Sequence, residues 1–405
     1  MNRNNLFTRN NIQKKYLNQN SIKKLTKEFN KIFDKTQKDI NSPKKTLNVL
    51  NKKFTFNFKT KDLQKFKEFK NIAVVGMGGS ILGSEAINNF LGKKIKKRLY
   101  FFDNLDPKKI SNLKKTKNLN KVLFLIISKS GNTIETLSNF LTLNIIKKNS
   151  KNIIVISEKK NNLLVSLSKK FNLFYVQHKD YIGGRYSVLS EVGIVPAYLM
   201  GINIRNLRSD IQIFLKGKEK LFLKESVVQL ASLLNFKKIN NLIFLNYSPA
   251  LEKFLFWCQQ LIAESLGKKG KGFLPTISNV PKDHHSLLQL YLEGPKDKIF
   301  HIFSLEEKSK ESIKITKKIK GSNILNGQTL SSIRNAQKNA LINVFKKNKI
   351  PFREFKIKAN NEQVLGKLFS YFMLETVIIG RLIKVDPFDQ PAVEQVKVYT
   401  KKLLS

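Results

Sequence analysis

Glu264-Ser265-Leu266-Gly267-Lys268 and Asp283-His284-His285-Ser286 are the segments of this chain best equipped for proton chemistry. A carboxylate and an imidazole are the two groups needed to take a proton from one carbon and return it to the next. Gln260 stands four positions before Glu264. A helix there puts both side chains on one face. Glu264 falls near the C-terminus of that helix, just before Gly267. The helix dipole disfavours a carboxylate at that end. Proton abstraction gives the placement a reason; a solvated helix-end glutamate is the plain alternative. His284 and His285 have the chemistry of metal ligands, but no third ligand stands at a recognisable spacing.

Three glycine-containing turns add binding chemistry. Gly76-Met77-Gly78-Gly79-Ser80-Ile81-Leu82-Gly83 lies between an apolar strand and a helical segment. Glycines let a ligand approach the backbone, and free N–H groups at a helix start favour an anion. The turn is not a dinucleotide fingerprint, because Ile81 occupies the third glycine position, and no Gly-Lys-Ser/Thr follows to make a P-loop. Ser128-Lys129-Ser130-Gly131-Asn132-Thr133 offers three hydroxyls, a lysine and helix-start amides, which suit a phosphate. Serine and threonine are also ordinary helix caps. Gly183-Gly184-Arg185-Tyr186-Ser187 sets a guanidinium on a glycine turn, placed for a developing oxyanion or for a surface ion pair. His178 and His301 lack nearby partners, and Cys258 lies on an apolar stretch that reads as core.

These turns need a scaffold, and the hydrophobic pattern supplies one. Short apolar runs at Ile72–Val75, Leu99–Phe102, Val122–Ile127, Ile153–Ile156 and Leu173–Val176 predict strands. Helical segments at Ile81–Leu91 and Thr133–Ile146 alternate with them, so a parallel sheet with crossover helices is expected. After Gly201 the alternation restarts. Helices are expected at Leu221–Leu234, Leu251–Leu266 and Glu362–Ile383, and strands at Leu242–Leu245, Ile299–Phe303 and Phe352–Ile357. Ile22, Leu25, Phe29, Ile32 and Phe33 predict an N-terminal helix that Pro43 closes.

The chain has 405 residues, 41% of them hydrophobic, which suits two domains with proper cores. No apolar run approaches the ~20 residues of a membrane span, and no apolar stretch follows the basic N-terminus. A single cysteine excludes an intrachain disulfide. These features predict a cytoplasmic protein with no membrane partner. The formal charge of +46 is the outlier. Its lysines run along the whole chain, with no zinc-finger spacing and no RNA-recognition signature, so a lysine-rich proteome explains it better than a nucleic-acid partner. The field still draws anionic substrates toward the surface.

From about residue 70 to 400 the chain resembles the glucose-6-phosphate isomerase (phosphoglucose isomerase) family, within the wider sugar-isomerase-domain superfamily. The motifs that carry the resemblance are GMGGSILG at 76–83, SKSGNT at 128–133, GGRYSVLSEVGIVP at 183–196, ESLGKKGKG at 264–272, DHHS at 283–286, QLYLEGP at 289–295 and PFDQPAVEQVK at 387–397, in the family's order. The resemblance implies an α/β fold. Two sugar-isomerase-type α/β/α units with parallel central sheets would cover 46–205 and 206–384, after an N-terminal helical extension over 1–45. A C-terminal segment over 385–405 would carry the Gln/Lys motif.

The implied reaction is the reversible isomerisation of D-glucose 6-phosphate and D-fructose 6-phosphate through a cis-enediolate, with neither metal nor cofactor. Glu264 would be the base and Arg185 would stabilise the enediolate. His285 and Lys397 would open the ring. Gly79, Ser80, Ser128, Lys129, Ser130 and Thr133 would hold the phosphate side, and Gln260 and Gln390 would contact the sugar. The family pattern also implies a homodimer in which the partner subunit donates the histidine. Ala392 and Val396 stand where the C-terminal signature has glycine. A dual phosphoglucose/phosphomannose isomerase is the nearest alternative. A sugar-phosphate-sensing, nucleic-acid-binding regulator would explain the charge and the cradles, but not Glu264, His285 and Lys397 together.

Overall fold

β-branched and aromatic runs bounded by turn residues become strands in the computed structural model, which describes residues 6–236, 238–306, 313–317, 321 and 324–404. Residues 1–5 and 405, at the outer ends of the expected extensions, lie outside the described residues. The strands are β1 (Leu6–Asn11), β2 (Asn71–Val75), β3 (Arg98–Phe102), β4 (Val122–Ile127), β5 (Ile153–Glu158), β6 (Phe174–His178), β7 (Asn241–Asn246), β8 (Leu274–Asn279), β9 (Lys298–Leu305) and β10 (Phe352–Ile357).

They form two five-stranded sheets. The first, in the order β3-β2-β4-β5-β6, is parallel throughout. Every residue of β4 is buried, as expected of a parallel strand covered on both faces. Its side chains divide with period two: Phe124 and Ile126 join the cluster on one face, Leu123, Leu125 and Ile127 the cluster on the other. The second sheet runs β1-β10-β9-β7-β8 and is parallel except for β1, which pairs antiparallel with β10 from Leu6↔Ile357 to Asn11↔Phe352.

β1 and β8 are additions to the sequence reading. Residues 6–11 fall in the expected helical extension, yet the helix covers only Gln19–Asn41. The segment Leu-Phe-Thr-Arg-Asn-Asn lacks an apolar alternation because it is an edge strand. It is held by backbone pairing to β10 and by Arg9 Nη2 donating to Glu354 Oε2 at 2.9 Å. β8 contains Pro275 and an exposed Leu274, and it forms the other edge.

The helices pack into a hydrophobic cluster that also takes in buried residues of the second sheet. Helix Glu252–Leu266, which follows β7, packs on helix Leu82–Leu91, which follows β2. Lys253 fastens the pair, its Nζ 3.0 Å from Glu85 Oε1. Burial pushes the Glu85 carboxyl up, against the pull of that lysine. Helix Glu362–Leu382 is long and apolar enough to cross a membrane, but it is almost wholly buried inside the chain. It packs against helices Gln19–Asn41, Gly217–Phe236 and Glu252–Leu266. One hydrophobic cluster therefore runs through all of these helices. Its position sets the C-terminal ends of β2 and β4 beside the end of helix Glu252–Leu266, where the candidate residues lie.

Candidate active site

The glycine turn after β2 is shaped by contacts that leave no room for side chains. A Cβ on Gly79 would lie 2.2 Å from the carbonyl carbon of Gly184 and 2.3 Å from its oxygen. Gly78 has φ +51°, and its Cβ would lie 2.8 Å from Gln260 Nε2. The turn after β2, the Arg185 turn and helix Glu252–Leu266 thus meet at two glycines. Ser187 Oγ donates to Gly184 O at 2.7 Å and lies 3.3 Å from Gly79 O, which binds the same two turns.

Arg185 is the hub. It is 2% exposed. Its Nε donates to Ser265 Oγ at 2.8 Å, and its Nη1 donates to Gln390 Oε1 at 2.7 Å. Nη2 donates to Pro387 O at 2.8 Å and to Asp389 O at 2.9 Å. Nη1 also lies 3.1 Å from Glu264 Oε1. Four hydrogen bonds and the ion pair to Glu264 thus hold the planar guanidinium in one orientation. Glu264 Oε2 accepts from Gln260 Nε2 at 3.0 Å. Glu264 keeps its side chain partly exposed, so the carboxylate is fixed in direction and open on one side. Gln260 Oε1 is buried with no hydrogen-bond partner of its own. The predicted helical spacing of Gln260 and Glu264 is therefore realised, and the structure brings Arg185, Glu264, Gln260 and Gln390 together.

Ser265, Tyr186 and Lys268 complete this group, although their types and spacing gave no role in advance. Tyr186 OH lies 2.9 Å from Ser265 Oγ and donates to Pro387 O at 2.9 Å. Full burial pushes this phenol up, so it stays a donor. Lys268 Nζ pairs with Asp389 Oδ1 at 2.7 Å and donates to Asp386 O. Lys271 Nζ donates to Ile383 O at 2.7 Å. Lys268 and Lys271 therefore strap down the segment that delivers Gln390.

The second turn lies next to the first. Gly76 approaches the end of β4 so closely that its Cβ would be 3.0 Å from Ile127 O. The two turns thus share the C-terminal ends of adjacent parallel strands, the crevice where open α/β sheets bind ligands. Ser128 Oγ lies 2.9 Å and Ser130 Oγ 3.4 Å from Thr133 Oγ1. Three hydroxyls converge at the start of helix Ile134–Thr142. Thr133 is its N-cap, but its side chain makes no cap hydrogen bond. Ser80 is buried in the neighbouring turn. Lys129 is engaged elsewhere, its Nζ 3.2 Å from Glu158 Oε1.

His285 and Lys397 are not drawn into this group within one chain. His285 is exposed in the first turn of helix His284–Glu293. Its neighbour His284 faces inward, with Nε2 3.0 Å from Tyr247 OH. Burial pulls the His284 imidazole down, and the adjacent His285 adds to the effect. Lys397 lies on helix Val393–Leu404, which buries no residue, and pairs with Glu394 at 2.5 Å. Ala392 and Val396 sit at a helix start and within that helix, so neither has a positive φ to strain. Among the described residues, no three or more His, Cys, Asp or Glu side chains gather where a metal could sit.

Residues 28–405 match the family model described as phosphoglucose isomerase. A protein named glucose-6-phosphate isomerase from Methanocaldococcus jannaschii is 32% identical over 360 residues, covering 85% of this chain and 87% of that protein. One named probable glucose-6-phosphate isomerase from Methanococcus maripaludis is 33% identical over 384 residues, covering 91% of this chain and 84% of that protein. The solved structure of a hypothetical protein from Thermus thermophilus superposes with a TM-score of 0.82 at 24% identity, covering 98% of this chain and 100% of that one, a likeness of fold. With a family model spanning most of its length and relatives above 30% identity along it, this chain belongs to the phosphoglucose isomerase family.

Proposed function

We propose that this chain interconverts D-glucose 6-phosphate and D-fructose 6-phosphate through a cis-enediolate, a step shared by glycolysis and gluconeogenesis. The observation that carries the reading is the open Glu264 carboxylate 3.1 Å from a buried Arg185 held by four hydrogen bonds. A sugar held there meets a base and a fixed positive charge in one place.

Each part has a physical role in this reading. The turn 128–133, with Ser80 and Gly79 beside it, holds the phosphate through hydroxyls and free amides. Fixing that end orients the sugar and removes most of the entropy of encounter. Glu264 takes the proton from the second carbon and returns it to the first. Arg185 is pre-set to offset the charge that grows on the neighbouring oxygen, so little reorganisation accompanies the step. Gln260 and Gln390 hold the sugar hydroxyls. His285 and Lys397 open the ring. His285 comes from the partner subunit of a homodimer, in keeping with its exposure on the single chain. The units 46–205 and 206–384 act together, since both contribute residues around Arg185. The compartment proposed is the cytoplasm.

The test is a coupled assay on purified protein in both directions, with glucose 6-phosphate, fructose 6-phosphate and mannose 6-phosphate. Interconversion of the first two without added metal supports the reading. Turnover of mannose 6-phosphate at a comparable rate would make the enzyme a dual isomerase, and no turnover of any would sink the proposal.

A further inference from the structure

Lys129 sits inside the serine/threonine turn that follows β4, yet its ammonium is held by Glu158 at 3.2 Å. Glu158 is the last residue of β5, and its side chain is 4% exposed. Lys160 pairs with its other oxygen at 2.9 Å. The Glu158 backbone N–H donates to Lys129 O at 3.1 Å. The same neighbouring segment holds the rest of the turn. Leu164 N–H donates to Gly131 O at 3.2 Å. Asn132 Oδ1 accepts from Leu163 N–H at 2.9 Å.

Asn162 stands at the centre of this contact. It is 5% exposed. Its Oδ1 accepts from Val165 N–H at 3.0 Å and caps helix Leu163–Lys170. Its amide nitrogen faces Ser157 Oγ, Glu158 O and Lys160 O at 3.1 to 3.3 Å. Gly131 has φ +65°, and a Cβ there would lie 1.9 Å from Asn162 Oδ1. The turn 128–133 is therefore seated on Asn162, and residues 129, 131 and 132 are each tied to the segment 158–164.

We infer that Glu158 and Asn162 are positioning residues for the anionic end of the substrate, acting through the turn 128–133 without touching the ligand. The Lys129 side chain serves as a tether of that turn, and its backbone stays with the cradle. Free amides and hydroxyls bind an anion tightly only when they are already in place; ordering them at binding costs affinity. A short turn containing a glycine at φ +65° has little stiffness of its own, so the second segment supplies it. The inference rests on the reading of 128–133 as the phosphate cradle.

The experiment uses the intact enzyme and three variants: Asn162→Ala, Glu158→Gln and Thr133→Val. The readouts are kcat, KM for glucose 6-phosphate, and the inhibition constant of inorganic phosphate. Asn162→Ala and Glu158→Gln are expected to raise KM and the phosphate constant together, each about tenfold, with kcat within about twofold of wild type. That split separates positioning from a general loss of folded enzyme, which lowers apparent kcat and leaves both constants alone. Thr133→Val reports on the cradle itself. If it raises both constants while the other two variants leave them unchanged, the inference is overturned and the cradle reading stands. If it also changes nothing, the cradle reading fails and the inference falls with it. A lower KM in Glu158→Gln would overturn the inference too, because Glu158 would then compete with phosphate for Lys129. Should Asn162→Ala fail to fold, Glu158→Gln decides alone by the same two constants.

Discussion

Glu264 and Arg185 carry different burdens, and substitutions separate them. Glu264→Gln keeps the shape and the bond from Gln260 but cannot accept a proton. The rate should fall by about two to four orders of magnitude, as for loss of a positioned general base, with substrate binding retained. Single-turnover kinetics and substrate binding measured on the variant check this. Near-normal turnover would move the base elsewhere. Arg185→Lys should do structural as well as catalytic harm. An ammonium has three donors on a flexible stem and cannot serve Ser265, Gln390, Pro387 O, Asp389 O and Glu264 at once. A lower thermal midpoint together with lost activity is expected; an unchanged midpoint would mean that the strap holds without the guanidinium. Away from the site, His301 is fully buried, with Arg353 Nη1 3.3 Å from its Nε2. Burial first, then that guanidinium, pulls its imidazole well below its ordinary value of 6.5. The unfolded chain binds this proton more readily than the folded one, so stability falls as pH drops below about 6.5. Denaturation midpoints between neutral and mildly acid pH should fall less steeply in His301→Asn than in wild type.

At the scale of elements, the candidate site depends on turns meeting where side chains cannot fit. Gly79→Ala puts a methyl group 2.2 Å from the Gly184 carbonyl carbon, a backbone atom that cannot give way cheaply. The Arg185 turn must then shift, and misplacement of about 1 Å can cost two orders of magnitude in rate. The expected outcome is a folded protein, by circular dichroism, with strongly reduced kcat. Full activity in Gly79→Ala would show that the two turns can separate without harm. Most of the strands were legible, whereas helices Pro107–Thr116, Leu163–Lys170, Glu191–Leu199, His284–Glu293, Leu330–Lys347 and Val393–Leu404 were not predicted. β4 and β10 match the predicted runs residue for residue, and the helices ending at Leu91 and Leu266 begin one residue later than predicted. Their periodicity is local and strong. β1 was not legible, because an edge strand of Leu-Phe-Thr-Arg-Asn-Asn owes its form to β10, more than three hundred positions away.

At the scale of the molecule, the active-site proposal requires a second copy of the chain. Mixing inactive His285→Ala with inactive Glu264→Gln under subunit exchange should restore activity. Mixed dimers would reach no more than about half of wild type, since an isologous dimer leaves one of two sites intact. No recovery despite exchange verified by mass would put His285 in its own chain's site or outside it. The net charge of +46 makes a separate prediction. Any DNA retention should be independent of sequence and vanish as salt rises, because it comes from counterion release. Binding of one sequence at physiological salt would revive a regulatory role.

What the sequence determined by itself was chemistry and period. Residue types and spacing singled out Glu264, Gln260, Arg185 and the two anion turns, because helical pitch and turn propensity act over a few residues. The tertiary structure decided which of these meet. Arg185 and Gln390 are 205 positions apart and reach 2.7 Å because long-range packing brings their segments together and Lys268 straps down the segment before Gln390. It also turned Lys129 toward Glu158 and left Lys397 on an exposed helix. Pairing of this kind follows from long-range packing, which no local pattern of residues encodes.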